Sequence, residues 1–205
     1  MPQINIPNDP PLESWPQTGR LAILDLEYTA WEGSAARAWS GPNEWREIVD
    51  IGCVIVDPAV AFAERTAYSA LVKPERNPVL SDYFTKLTGI TQRDLTERGL
   101  SLAAAVNGLA ECFGDSIPIV FNGYDGRIIH ENCQMQGIDL PWDTARMRDF
   151  RPLLARTLGQ PSSELTSSGL PMLAGFDLPG REHSTLHDCR AIAGSFAVWR
   201  RAGRL

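Results

Sequence analysis

The stretch Leu21-Ala22-Ile23-Leu24-Asp25-Leu26-Glu27-Tyr28-Thr29 decides the fold. Its apolar start has the length and composition of a buried strand. Successive strand side chains point to opposite faces, so Asp25 and Glu27 project from the same side. Two carboxylates on one half-buried face repel each other unless a cation neutralises them, and hard oxygen donors of this kind suit Mg²⁺ or Mn²⁺. Taken alone, an Asp-x-Glu is better explained as a strand end turning into solvent.

A third acid stands where a second apolar run ends. Ile117-Pro118-Ile119-Val120-Phe121 reads as a short strand, Asn122-Gly123 as a turn, and Ile128, Ile129, Cys133 and Met135 carry helical spacing. Asp125 is then either a helix-start acid favoured by the helix dipole or a ligand-side group at the carboxyl end of a sheet strand. The last element is Arg181-Glu182-His183-Ser184-Thr185-Leu186-His187-Asp188-Cys189. Pro179 and Gly180 break what precedes it, Ser184 or Thr185 can cap a helix, and Asp188 falls about one turn inside. His183, just ahead of the cap, is free to act beside a metal held by Asp188 without being a ligand itself. Each residue has an ordinary explanation in isolation. The joint occurrence of Asp25, Glu27, Asp125, His183 and Asp188, each in a suitable local element, points to a two-metal nuclease.

The remaining chain reads as strands first and helices mixed in later. After 21–27, a strand is expected over 47–57 and another near 65–73. Short helices around 81–98 and a longer one near 101–113 precede the Ile117 strand. A short strand near 145–149, a helix from Phe150, and helices at 169–175 and 185–202 complete an α/β sheet covered on both faces.

These segments resemble the three motifs of the DnaQ-like, DEDDh class of 3′-to-5′ exonucleases: Asp25-Leu26-Glu27, then Asp125, then His183 with Asp188 five residues on. Tyr83-Phe84-Thr85-Lys86-Leu87-Thr88-Gly89-Ile90-Thr91-Gln92 is similar to the segment of that class that grips terminal nucleotides. The run from Gly169 through His183 to Ala193 resembles the branch containing the 3′ histone-mRNA exonuclease and its RNA-interference-linked relatives. The resemblance covers roughly residues 20 to 200. It implies a ribonuclease H-like fold with a five-stranded mixed sheet and two divalent ions, Mg²⁺ or Mn²⁺. Asp25, Glu27 and Asp188 would hold one ion, and Asp25, with Asp125 through water, the other. His183 would be the general base, backbone near Tyr28 and Thr29 would meet the terminal 3′-OH, and Leu87 would wedge beside the last bases. One departure is His187, which stands where many relatives carry an acid directly before the last Asp.

Composition bounds the rest. At 205 residues the chain suits one sizeable core, residues 20–205, preceded by an arm, residues 1–19, in which Pro2, Pro7, Pro10, Pro11 and Pro16 oppose helical periodicity. Cys53, Cys112, Cys133 and Cys189 have neither metal-ligand spacing nor disulfide-scaffold density, and there is no apolar signal or membrane-length run. A reduced, cytoplasmic setting without a membrane partner is the expectation. The net charge of −6 argues against indiscriminate binding of long nucleic acid. Of 19 basic residues 17 are arginine, and Arg146, Arg148, Arg151, Arg156, Arg181 and Arg190 are candidates for forked phosphate contacts. Trp31, Trp39 and Trp45 cluster after the first strand, where stacking on bases competes with packing of a long loop, the plainer explanation. The expected substrate is the 3′ end of single-stranded nucleic acid, RNA favoured over DNA, and without a recognisable accessory binding domain targeting is left to a protein partner. A DNA-directed exonuclease of proofreading or repair type uses the same five residues. A non-catalytic RNA-binding adaptor would not need the whole set, and a structural protein using the arm leaves the carboxylates unexplained.

Overall fold

The computed structural model describes residues 19–205; the proline-rich arm lies outside the described residues. Strand β1 (Leu21–Tyr28) is buried over its first six residues because it has strands on both edges and helices on both faces. It pairs antiparallel with β2 (Ile48–Asp57), which pairs antiparallel with β3 (Ala63–Leu71). On its other edge β1 runs parallel to β4 (Ile119–Phe121), and β4 parallel to β5 (Met147–Asp149). The five-stranded sheet therefore has the order β3-β2-β1-β4-β5 and is mixed, as expected. The third strand lies two residues earlier than its sequence pattern suggested.

Strand alternation sorts the core into two layers. Ala22, Leu24 and Leu26 face α3 (Leu102–Phe113) and α4 (Asp125–Met135), whereas Leu21 and Ile23 face α5 (Arg151–Leu158), α6 (Leu170–Ala174) and α7 (Thr185–Arg201). Asp25 and Glu27 continue the Leu21 and Ile23 series, so they emerge on the α7 face. A smaller cluster of Ala30, Val49, Leu80, Phe84 and Leu95 seats α1 (Asp82–Thr88) and α2 (Gln92–Arg98) at that end of the sheet. Ser81 caps α1 and also donates to the Ala30 carbonyl at 2.5 Å, fixing α1 against the chain leaving β1.

Two buried polar side chains brace the same end. Glu47, 3% exposed, accepts from the backbone N–H groups of Glu75, Arg76 and Asn77 at 2.8, 2.8 and 2.6 Å. Asn132 on α4 accepts from Ile48 N and donates to Arg46 O, each at 2.9 Å. Buried polar groups satisfied in this way hold a loop in one conformation.

Candidate active site

Asp25 stands opposite Gly52 in the β1/β2 ladder, and Glu27 opposite Asp50. Gly52 is where α7 crosses the sheet: a Cβ there would lie 2.4 Å from Thr185 Cβ and 2.7 Å from the Thr185 backbone. Only glycine allows the first turn of α7 so close to the strand. Thr185 is fixed there by its hydroxyl, which donates to Asp50 Oδ2 at 2.8 Å. Asp188 lies one turn on, its N–H bonded to Ser184 O at 2.9 Å, and faces the β1 carboxylates. His183 precedes the helix in a left-handed conformation (φ 57°), a region uncommon for a residue with a Cβ and often associated with functional sites. Its Nδ1 lies 3.6 Å from Glu27 Oε1. Ligand atoms of Glu27, His183 and Asp188 all fall within 4.8 Å of one another.

Asp125 arrives from β4. Gly123 has φ 97°, and a Cβ on it would sit 2.5 Å from the Arg151 guanidinium carbon, so this turn also requires glycine. Arg151 donates to Asn122 Oδ1 and O at 2.9 and 2.8 Å, and Asp149 accepts from Gly123 N and Arg151 N at 2.8 and 2.9 Å. This frame places Asp125 in the first turn of α4, 7% exposed. Asn122 also donates to Leu165 O and Ser167 Oγ at 2.9 and 3.2 Å, and Ser167 bonds Asp25.

The carboxylates feel one another. Burial, then the charges of Asp125, Asp188 and Glu27, push Asp25 well above the usual carboxylate range. Burial also raises Asp125, with Glu27, Asp149 and Asp188 adding to the effect and Arg151 opposing it. Asp188 is raised to about 6 by burial and Glu27, against a hydrogen bond from His187. The hydrogen bond with Glu27 and neighbouring negative charge raise His183. A set of oxygen donors that disfavour one another's ionisation fits a bound divalent cation, which removes the repulsion.

The structure thus brings together Asp25, Glu27, Asp125, His183 and Asp188. Tyr28 follows on β1, its ring 5.4 Å from that of Trp39 and its hydroxyl raised by burial and by Asp125. Thr29 is buried and already engaged: its N–H donates to Glu47 O at 2.8 Å and its carbonyl accepts from Trp39 Nε1 at 2.9 Å. Leu87 is half-buried near the end of α1. His187 is held between Asp188 Oδ1 at 3.2 Å and Leu178 O at 3.3 Å.

The candidate phosphate arginines are engaged within the protein. Arg190 forks onto Glu64, Arg151 onto Asn122 and Arg146 onto Ile117 O, while Arg148 bonds Met147 O and Arg181 bonds Lys86 O. Trp39 packs into the loop, whereas Trp45 stays 42% exposed. Sequence reasoning missed Asp50 and Glu47. The available signal was an acid inside the apolar run Ile48-Val49-Asp50-Ile51, since a buried charge demands a partner.

A family model described as Exonuclease (RNase_T) matches residues 22–196. ERI1 exoribonuclease 2 of Danio rerio is 25% identical over 195 residues, covering 84% of this chain and 33% of that protein. The 3′-5′ exoribonuclease 1 of Rattus norvegicus is 25% identical over 182 residues, covering 84% and 50%. The chain therefore spans about a third to a half of these relatives. The solved nuclease domain of 3′hExo, a DEDDh family member bound to rAMP, superposes with a TM-score of 0.74 at 21% identity, covering 93% of this chain and 94% of that one. Cell-death related nuclease 4 (CRN-4) gives 0.75 at 18% identity, covering 91% and 65%.

Proposed function

The chain belongs to the exonuclease family that its residues 22–196 match, and from that premise we propose that it removes nucleotides stepwise from 3′ ends of single-stranded RNA. The observation that carries this reading is the convergence of four carboxylates, Asp25, Glu27, Asp125 and Asp188, from three separate elements beside His183. Family membership implies divalent metal use. Asp25, Glu27 and Asp188 would hold one ion, and Asp25 with Asp125 a second, Mg²⁺ or Mn²⁺. Such ions supply electrostatic stabilisation of the charge that builds up on a phosphoryl group under attack.

The protein side chains do the rest. His183 Nδ1 faces Glu27, which leaves Nε2 as the proton acceptor. A water oxygen forms the new bond to phosphorus, its proton goes to His183, and the bond to the 3′ oxygen of the preceding nucleotide breaks. That oxygen takes a proton from solvent. The products are a nucleoside 5′-monophosphate and a strand one nucleotide shorter. Glu27 stabilises the imidazolium that forms and so raises His183 from the ordinary imidazole value of about 6.5, keeping it a base that works near and above neutrality. RNA is favoured because the sequence relatives carry exoribonuclease names. Leu87 would wedge beside the terminal base, and the backbone around Tyr28 and Thr29 would meet the 3′-OH.

The test is digestion of 5′-labelled single-stranded RNA and matched DNA with Mg²⁺. The expected result is a ladder shortening from the 3′ end, blocked by a 3′-phosphate and abolished by EDTA. Cutting of a circular strand, or full activity in EDTA, refutes it. A strong preference for DNA moves the activity to an exodeoxyribonuclease.

A further inference from the structure

A cavity of about 650 Å³ opens between the loop that follows β1 and the solvent side of α4, with Trp39, Trp45, Arg46, Arg76, Glu131 and Gln134 on its walls. The candidate site uses none of these side chains. The Arg76 guanidinium lies over the Trp45 ring at 4.0 Å and that of Arg46 over Trp39 at 5.6 Å, so flat cationic and aromatic surfaces alternate along the groove. The acids nearby are already neutralised. Glu131 pairs with Arg46 and Arg127, and Glu44 with Arg37. Arg76 forms no ion pair among the described residues and is exposed.

The groove is also held in advance of any ligand. Glu47 fixes the backbone of Arg76, and Asn132 ties the Arg46 carbonyl to α4. Rigid aromatic walls lose little freedom on binding. Two of the groove's walls lead back to the carboxylates. Trp39 packs on Tyr28, the neighbour of Glu27. On α4, Tyr124, Arg127, Glu131 and Gln134 follow one another at helical spacing from the Asp125 end, and Tyr124 is 62% exposed. With a rise of about 1.5 Å per residue, Glu131 and Gln134 lie roughly 9–14 Å along the axis from Asp125.

We propose that this groove is a second nucleobase subsite, in which Trp45 stacks on a base of the substrate strand upstream of the scissile bond while Arg76 meets its phosphate. The inference rests on the nuclease reading above and adds to it a dependence on substrate length. Stacking of this kind is tolerant of base identity.

Initial rates on single-stranded RNAs from two to eight nucleotides test it, using the whole chain and the Trp45→Ala, Trp45→Phe and Arg76→Gln variants. For the wild type, KM should fall with length. Trp45→Ala should raise KM on the octamer roughly 5- to 100-fold, leave kcat unchanged at all lengths and leave the dinucleotide KM unchanged. Trp45→Phe should recover most of the loss, and Arg76→Gln should lower the salt slope of log KM by about 0.7. Equal KM for wild type and Trp45→Ala at every length, or an equal loss on dinucleotide and octamer, overturns the subsite. Fluorescence anisotropy in EDTA, with labelled dinucleotide and octamer, separates this from failure of the nuclease reading. If no oligomer is hydrolysed, tighter octamer binding that Trp45→Ala abolishes still supports the groove, and binding independent of length or of Trp45 refutes it.

Discussion

Replacing Gly52 by alanine probes the placement of α7 with a single methyl group. The added Cβ would meet Thr185 Cβ and Oγ1 at 2.4 Å and the Thr185 carbonyl carbon at 2.7 Å, against ordinary contacts of 3.4–4 Å. The start of α7 must therefore retreat by about 1.0–1.6 Å. It has no flexible side-chain end to yield instead, because the clash includes backbone. Overpacking of this size costs about 1–3 kcal/mol, which for a domain of this length lowers Tm by roughly 2–12 °C. The retreat also withdraws His183 and Asp188 from Asp25 and Glu27, and a misplacement of about 1 Å typically costs about 10²-fold in rate. The assay is kcat on a short single-stranded RNA with a divalent-ion titration, alongside thermal unfolding. Gly52→Ala should stay folded, turn over about 10²-fold more slowly and need more metal for half-maximal rate. Wild-type kcat and metal dependence with an unchanged Tm would refute the claim that Gly52 sets the spacing of the site.

Other outcomes follow from the same geometry. His183→Ala should lose about 10²–10⁴-fold in kcat while its metal-dependent rise in Tm persists, and His187→Ala much less; the reverse order would move the base to His187. Asp50, like Asp188, is raised to about 6, in its case by burial first and partly offset by Thr185. Both carboxyls thus bind protons more tightly in the folded chain. The stability they contribute is present below the unfolded value of about 3.9 and is lost as pH rises through about 6. Thermal unfolding in EDTA should show Tm falling between pH 4 and 7, and Mg²⁺ or Mn²⁺ should restore more of it the higher the pH; a flat profile counts against a repelling carboxylate cluster. Glu47→Ala strands three buried backbone N–H groups and should cost about 2–5 kcal/mol in urea unfolding; a loss under about 1 kcal/mol would mean that water replaces the carboxylate.

The chain's local patterns determined its elements and its reactive groups. The apolar run at Leu21 is a central strand, its period of two puts Asp25 and Glu27 on one face, and the turn at Asn122-Gly123 and the breaks at Pro179 and Gly180 put Asp125 and Asp188 in the first turns of their helices. These follow because backbone geometry is local: a strand alternates and a helix starts where its signals stand. Strand ends and short strands were less sharp, as for β3, because the ladder with β2 sets where pairing stops.

Only the tertiary structure decided what those groups meet. Gly52 has no sequence mark separating it from an ordinary strand glycine; its role comes from α7 crossing above it, some 130 residues later in the chain. Asp50 and Glu47 look like surface acids in composition, yet one holds Thr185 and the other three backbone amides. The arginines that suggested phosphate forks are engaged within the protein, and the one stacked on Trp45 in the groove, Arg76, had no motif to announce it. Contacts between distant segments depend on how two packed faces register. That register is fixed by burial and by the satisfaction of buried polar groups across the whole domain, which no single stretch of sequence encodes.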